Sequence, residues 1–264
     1  MRLVTIRFSH YNEKARWALD LAGVPYTEEG HLPGFHVRAV KRRHPGGGDR
    51  DKASSRFSTP LLVLDDGSVL TDSAAIVAWA SDRMPETLYP SDEVREIEQD
   101  VHDRLAVHSR RVVYGFLFSH PPTLRRLARA CVPGFESWVL AAALPFTARR
   151  GYEAFAGGDE GFARSRRICA EEVERWGARL DGRSFLVGDR LTAADLALAC
   201  AMVPLLIPQA EEGFGAPLLP VDALQPEARD LVVRFRGTAA GRHALRMFAE
   251  HRGTRVIPYG ERAP

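Results

Sequence analysis

What most restricts the fold is an order of local signals, all read before Ser81. Leu3 to Phe8 (LVTIRF) is a β-branched run that reads as a short strand. Ser9-His10-Tyr11-Asn12 interrupts it, and Glu13 to Ala22 follows with Ala15, Ala18, Leu19 and Ala22 at helical spacing. Ser9 or Asn12 can cap that helix, Glu13 suits its positive end, and Gly23 suits its stop. Val24-Pro25-Tyr26-Thr27 reads as a second strand, and strand–helix–strand implies a parallel pair with a crossover helix. His31 to Pro45 is expected to be partly helical. Leu61–Leu64 and Val69–Leu70 flank Asp65-Asp66-Gly67-Ser68, a hairpin signal because Asp-Gly tolerates positive φ. Thr71-Asp72-Ser73 then caps the apolar helix Ala74 to Ala80.

This order is that of a thioredoxin-like fold. Met84 to Ser91 (MPETLYPS) reads as a linker. Beyond it, apolar residues recur at spacings of three and four near Glu93–Phe118, Phe135–Arg149, Phe162–Leu180, Ala193–Leu206, Glu227–Phe235 and Arg242–Arg252. The fold class is therefore an α/β domain followed by an all-α domain, divided as 1–84, a linker at 85–92, and 93–264.

Composition closes off other classes. The formal charge of +2 in 264 residues gives no global attraction to nucleic acid or an anionic membrane. The basic cluster Arg38, Lys41, Arg42, Arg43, Arg50, Lys52 and Arg56 has only Phe57 beside it, and reads as a solvated loop. No apolar run nears the ~18 residues of a membrane span. The start is interrupted too early by Arg7 for a signal peptide. Cys131, Cys169 and Cys200 are odd in number and scattered, which fits a reducing compartment and a cytoplasmic location. His102 and His108 do not share a helix face as an i,i+4 pair would, so no metal is expected. Phe116, Phe118, Phe135, Trp138, Phe146 and Trp176 read as core, with some on the first helices able to line a hydrophobic site.

Three places can carry chemistry. A hydroxyl at Ser9, at the amino end of a helix, either caps that helix or helps hold an anion such as a thiolate. Pro60 after Thr59 either sits at a sheet edge or forms a cis bond that turns the Thr59 backbone outward toward a peptide ligand. Asp72 and Ser73 either cap their helix or grip an amino acid zwitterion. In Leu191-Thr192-Ala193-Ala194-Asp195, Thr192 and Asp195 form a capping box with a structural role.

Taken together, Phe8-Ser9-His10-Tyr11-Asn12-Glu13-Lys14-Ala15-Arg16-Trp17-Ala18-Leu19 with Gly23-Val24-Pro25-Tyr26, Thr59-Pro60-Leu61 to Leu64 with Asp66-Gly67 and Leu70-Thr71-Asp72-Ser73, and Phe185 to Asp189 with Leu191 to Asp195 resemble the glutathione transferase superfamily. The resemblance implies a glutathione-transferase-type helical bundle after the thioredoxin-like domain. It implies glutathione as co-substrate, a small hydrophobic electrophile as partner, a homodimer, and a role in detoxification. It places the thiolate at Ser9, with Tyr11 and Asn12 as adjacent alternatives. It places the cysteinyl unit at Thr59, beside a cis Pro60, and the γ-glutamyl end at Asp72 and Ser73. A cation near Arg38 or Lys41 would meet the glycyl carboxylate.

Two departures stand out. No cysteine occupies Ser9 or Asn12, so thiol–disulfide exchange is disfavoured. The stretches Arg42 to Phe57 and Pro121 to Gly161 are longer than the family's, and the second is expected to reshape the second-substrate pocket. Alternatives to conjugation are a non-catalytic binding or scaffolding protein of the same fold, a glutathione-dependent isomerase or dehalogenase, or use of another small thiol.

Overall fold

The computed structural model describes residues 1–48 and 56–252. Its N-terminal part runs β1 (Arg2–Ile6), α1 (His10–Leu21), β2 (Thr27–His31), α2 (His36–Arg43), β3 (Leu61–Val63), β4 (Val69–Leu70) and α3 (Ser73–Ser81). The strands form one sheet in the order β2-β1-β3-β4, with β1 parallel to β2 and the other pairs antiparallel. Alternation along the strands builds two layers. Leu3 and Leu62, paired across β1 and β3, pack into the large core with α1 and α3, whereas Val4 and Leu61 pack against Ala39 and Val40 of α2. Gly67, at φ 85°, makes the hairpin turn expected of Asp-Gly.

Two strand positions differ from expectation. β1 stops at Ile6, and β2 begins at Thr27, where Val24-Pro25-Tyr26 had read as strand. β2 is the polar run TEEGH on the sheet edge, held by charge more than by apolar burial. Glu28 takes hydrogen bonds from Arg16 (2.8 Å) and Thr5 (2.5 Å), while Glu29 pairs with Arg43. Nothing in β-propensity points to such a strand.

The remainder is helical. α4 (Asp92–Asp100) runs through a π-helical turn at Val101–Ala106 into α5 (Val107–Ser119). Then come α6 (Pro121–Cys131), α7 (Phe135–Gly151), α8 (Gly158–Arg179), α9 (Ala193–Leu206), α10 (Pro226–Arg236) and α11 (Ala239–Met247). Every residue of α9 is buried, which is why its sequence is apolar all round apart from Asp195 in its first turn. Its start is fixed by Asp195, which accepts from the Thr192 N–H (3.1 Å) and hydroxyl (2.9 Å), and from the Leu186 N–H (2.8 Å). Among the described residues no helix is long and apolar enough to cross a membrane.

One expectation for the helical part fails. Trp176 is buried, but Phe135, Trp138 and Phe146 are 73%, 68% and 84% exposed. These three, spaced i, i+3 and i+11, share the outward face of α7, whose inward anchors are Ser137 and Leu144. Helical spacing identifies a common face without saying which way that face turns.

Candidate functional site

The site begins where β1 hands over to α1. Ser9 is the N-cap residue of α1, with extended φ and ψ of −77° and 130°, and its carbonyl accepts from the Asn12 and Glu13 N–H groups (3.0 Å each). Its hydroxyl makes no capping hydrogen bond. The simple capping role therefore does not occupy it, and a partly exposed hydroxyl sits beside the positive end of a helix. Asn12, one turn on, is fully buried. Its Nδ2 donates to Thr59 Oγ1 (3.3 Å), and among the described residues its Oδ1 has no hydrogen-bond partner. That bond ties the start of α1 to the segment entering β3, where the Thr59–Pro60 peptide is cis.

Asp72 is the N-cap of α3 and accepts from the Ala74 N–H (2.8 Å), so one carboxylate oxygen does what capping requires. Ser73 is buried, 3% exposed. Tyr11 stands apart from Ser9. Its ring lies against His10 (4.0 Å between centroids) and His102 (5.3 Å), in a small cavity that includes Lys14 and Glu98. Burial pushes its phenol up to about 12, with Arg110 opposing and the charges of Asp103 and Asp72 assisting. Tyr11 is thus a neutral hydroxyl near pH 7.

Ser9, unlike Tyr11 and Asn12, lines a larger cavity between the two parts of the chain. Phe8, Ser9 and His10 form one wall. Val113, Tyr114, Phe116 and Leu117 of α5 form the second, the end of α9 with Leu218 and Leu219 forms the third, and α10 closes it. Ile207, a β-branched residue at φ 47°, is one of its lining residues. Such a conformation is strained for its type, and strain of this kind gathers at functional sites. The Gln209 amide donates to the Ile207 carbonyl (2.8 Å), and Arg236 Nε donates to that of Leu206 (2.9 Å), holding the turn. The Pro121–Gly161 segment enters through α6, which adds Thr123 and Leu127 to the lining.

Sequence reasoning passed over three polar groups of this cavity. His10 is 4% exposed, and burial first, then Arg110, His102 and Lys14, hold its imidazole well below its ordinary range. It is neutral, bonded to the Ala106 backbone in the π-helical turn, and its buried Nε2 has no hydrogen-bond partner among the described residues. Gln225 donates Nε2–H to the Phe116 carbonyl (3.0 Å), leaving Oε1 buried without a donor. Arg110 precedes Val113, Tyr114 and Leu117 at i, i+3, i+4 and i+7, one charge on an otherwise apolar stripe. That interruption is the signal that could have found it.

The basic loop divides. Lys41 lies over the Phe57 ring (4.7 Å), Arg43 pairs with Glu29, Arg56 donates to the Gly46 carbonyl, and Arg38 and Arg42 are exposed. Arg50 and Lys52 lie outside the described residues.

Residues 8–83 match the family profile described as glutathione S-transferase, N-terminal domain. No curated protein matches the chain. Among solved structures, a glutathione S-transferase from Methylobacterium radiotolerans in complex with glutathione sulfonate is 19% identical, with 92% of this chain and 93% of that one covered and a TM-score of 0.54. Glutathione transferase GSTFuA3 from Phanerochaete chrysosporium is 17% identical over 94% and 95%, with a TM-score of 0.57. The beta-etherase LigF from a Sphingobium strain is 17% identical over 92% and 97%, with a TM-score of 0.56. At these identities the likeness is one of fold.

Proposed function

We propose that this chain, whose residues 8–83 match the glutathione S-transferase N-terminal domain profile, is a glutathione transferase that holds a glutathione thiolate at Ser9 for attack on a hydrophobic electrophile. The observation that carries the reading is the Ser9 hydroxyl, unused by its own helix and set in the lining of an apolar cavity. On this reading residues 1–84 hold the thiol, 85–92 link, and 93–264 supply the second-substrate pocket. The Thr59 backbone pairs with the cysteinyl unit beside Pro60, and Asp72 with Ser73 receives the γ-glutamyl end.

The chemistry needs little more. The thiol proton leaves to solvent, the Ser9 O–H and the first-turn N–H groups stabilise the sulfur anion, a carbon–sulfur bond forms, and the leaving group departs. Rate comes from proximity and from a larger thiolate fraction. Neutral Tyr11 and His10 add no cationic charge beside the sulfur. A cytoplasmic homodimer belongs to the same proposal, its stoichiometry checked by sedimentation. The test is conjugation of glutathione to chlorodinitrobenzene by the parent and by Ser9→Ala, with kcat/KM expected to fall on the order of 10²-fold as for loss of one anion-stabilising donor. Turnover unchanged in the variant removes Ser9 from this role.

A second reading, a non-catalytic binding protein of the same fold, is favoured by Ser73 being buried and Asp72 already capping α3. Calorimetric binding of glutathione without turnover of any electrophile would select it.

A further inference from the structure

We infer that the cavity beside Ser9 takes a second substrate bearing an anionic group, and that Arg110 is the residue that receives it. The inference rests on the reading of this cavity as the second-substrate pocket and adds the chemical class of its occupant.

Among the described residues Arg110 is the only ionised side chain of the lining, to which they contribute no Asp or Glu. Among the described residues no carboxylate lies within ion-pair distance of its guanidinium, whereas its α5 and π-turn neighbours include Arg104, paired with Glu172 (2.9 Å). Arg110 is half-buried, and its charge is felt by His10, Tyr11 and Tyr114. A cation placed on an apolar stripe and left unpaired is unfavourable unless something compensates it. In a cavity of low dielectric, a carboxylate or sulfonate meeting that planar fork gains far more than it would in water.

Of the other polar groups of the lining, the Ser9 hydroxyl is given to the sulfur on the proposed reading, and Tyr114 lies one turn from Arg110 on the same stripe, so both leave the anion beside the guanidinium. Gln225 Oε1 is a buried acceptor without a donor among the described residues, and an acceptor repels an anion, while neutral His10 offers no charge to attract one. Thr123 Oγ1 is already engaged with His120 (2.6 Å). An anionic substituent is therefore steered to Arg110, and the apolar body is left to the rest of the cavity.

The test uses the full chain and two fluorescent probes with the same ring system, neutral phenylnaphthylamine and anionic anilinonaphthalenesulfonate. The parent is expected to bind the sulfonate about tenfold more tightly, as one charge-assisted pair implies. Arg110→Met should erase that preference while the neutral probe keeps its affinity, and Arg110→Lys should retain part of it. No preference in the parent, which needs no variant to be read, overturns the inference. So does a preference that survives in either Arg110→Met or a correctly melting Arg110→Gln. Glutathione affinity, read by calorimetry, falling in these variants while the probe preference persists assigns the guanidinium to the thiol peptide instead. None of the probe titrations requires glutathione, so a chain without transferase activity can still pass, and failure here leaves the role of Ser9 standing.

Discussion

Ser9 and Tyr11 are two residues apart and both bear hydroxyls, yet they differ in what they can do to a bound thiol. The Ser9 hydroxyl is uncommitted and lines the apolar cavity; the Tyr11 ring is packed against two histidines in another. A hydrogen bond to a charged group contributes about 1.5–3 kcal/mol. At 1.36 kcal/mol per pKa unit, Ser9→Ala should raise the pKa of the bound glutathione thiol by about 1–2 units. Tyr11→Phe should leave it unmoved. Ultraviolet absorbance of the thiolate against pH reads both, and a shift in the tyrosine variant alone would exchange their roles.

At the scale of elements, the walls of the cavity depend on how α5 packs. Gly115 lies where a Cβ would come within 2.2 Å of the Phe162 ring on α8, and that ring meets Phe116 edge-on at 5.1 Å. Gly115→Ala gains about 1 kcal/mol of helix propensity but overpacks the contact by about 1–3 kcal/mol. A net loss of stability is expected, seen as a lower urea midpoint, with weaker binding in the cavity. The α7 helix is tied to the edge strand by Glu136, which accepts from the Leu32 N–H (2.7 Å) and meets His31 Nδ1 (2.6 Å). Burial works against protonation of His31, but the hydrogen bonds to Glu136 and Glu29 prevail and raise it to about 9. A raised folded-state value means this contribution is complete below the ordinary 6.5 and is lost as pH rises through about 9. The melting-temperature advantage of the parent over Glu136→Gln should shrink across that window. If it is the same at both ends, His31 is not the titrating partner.

These elements also divide what was legible in the sequence. The hairpin at Asp66-Gly67, the cap at Asp72 and the helix α9 with its capping box were readable because their causes lie within a few residues. β2 was misplaced because its causes, Arg16 and Arg43, lie on α1 and α2. The outward face of α7 and the isolated charge of Arg110 depend on which helix packs where, which periodicity leaves open.

The two parts of the molecule are joined by a buried charge network whose centre is Glu13. Next to Ser9's turn it looks like an ordinary complement to a helix dipole, but it is fully buried and meets a residue 239 positions away. Its Oε1 accepts from Arg252 Nε (2.8 Å) and the Gly215 N–H (3.2 Å), and its Oε2 accepts from Arg16 Nε (2.8 Å). Arg252 also meets Asp20 (2.8 Å), and Arg16 meets Glu28. Burial alone would raise the Glu13 carboxyl, but Arg252 and Arg16 override it and hold it below its ordinary 4.5. A lowered folded-state value gives stability that is complete above 4.5 and disappears as pH falls through the lower, folded value. Glu13→Gln keeps the shape and removes the charge, leaving two buried guanidinium groups under-compensated at a cost of about 3 kcal/mol. The variant should unfold at lower urea near neutral pH and approach the parent in acid. Arg252→Met should cost less in the Glu13→Gln background than alone, with a coupling of at least about 1 kcal/mol in a double-mutant cycle. Additive losses would mean that the two halves are held by their apolar contacts, and that this pair only fills the space between them.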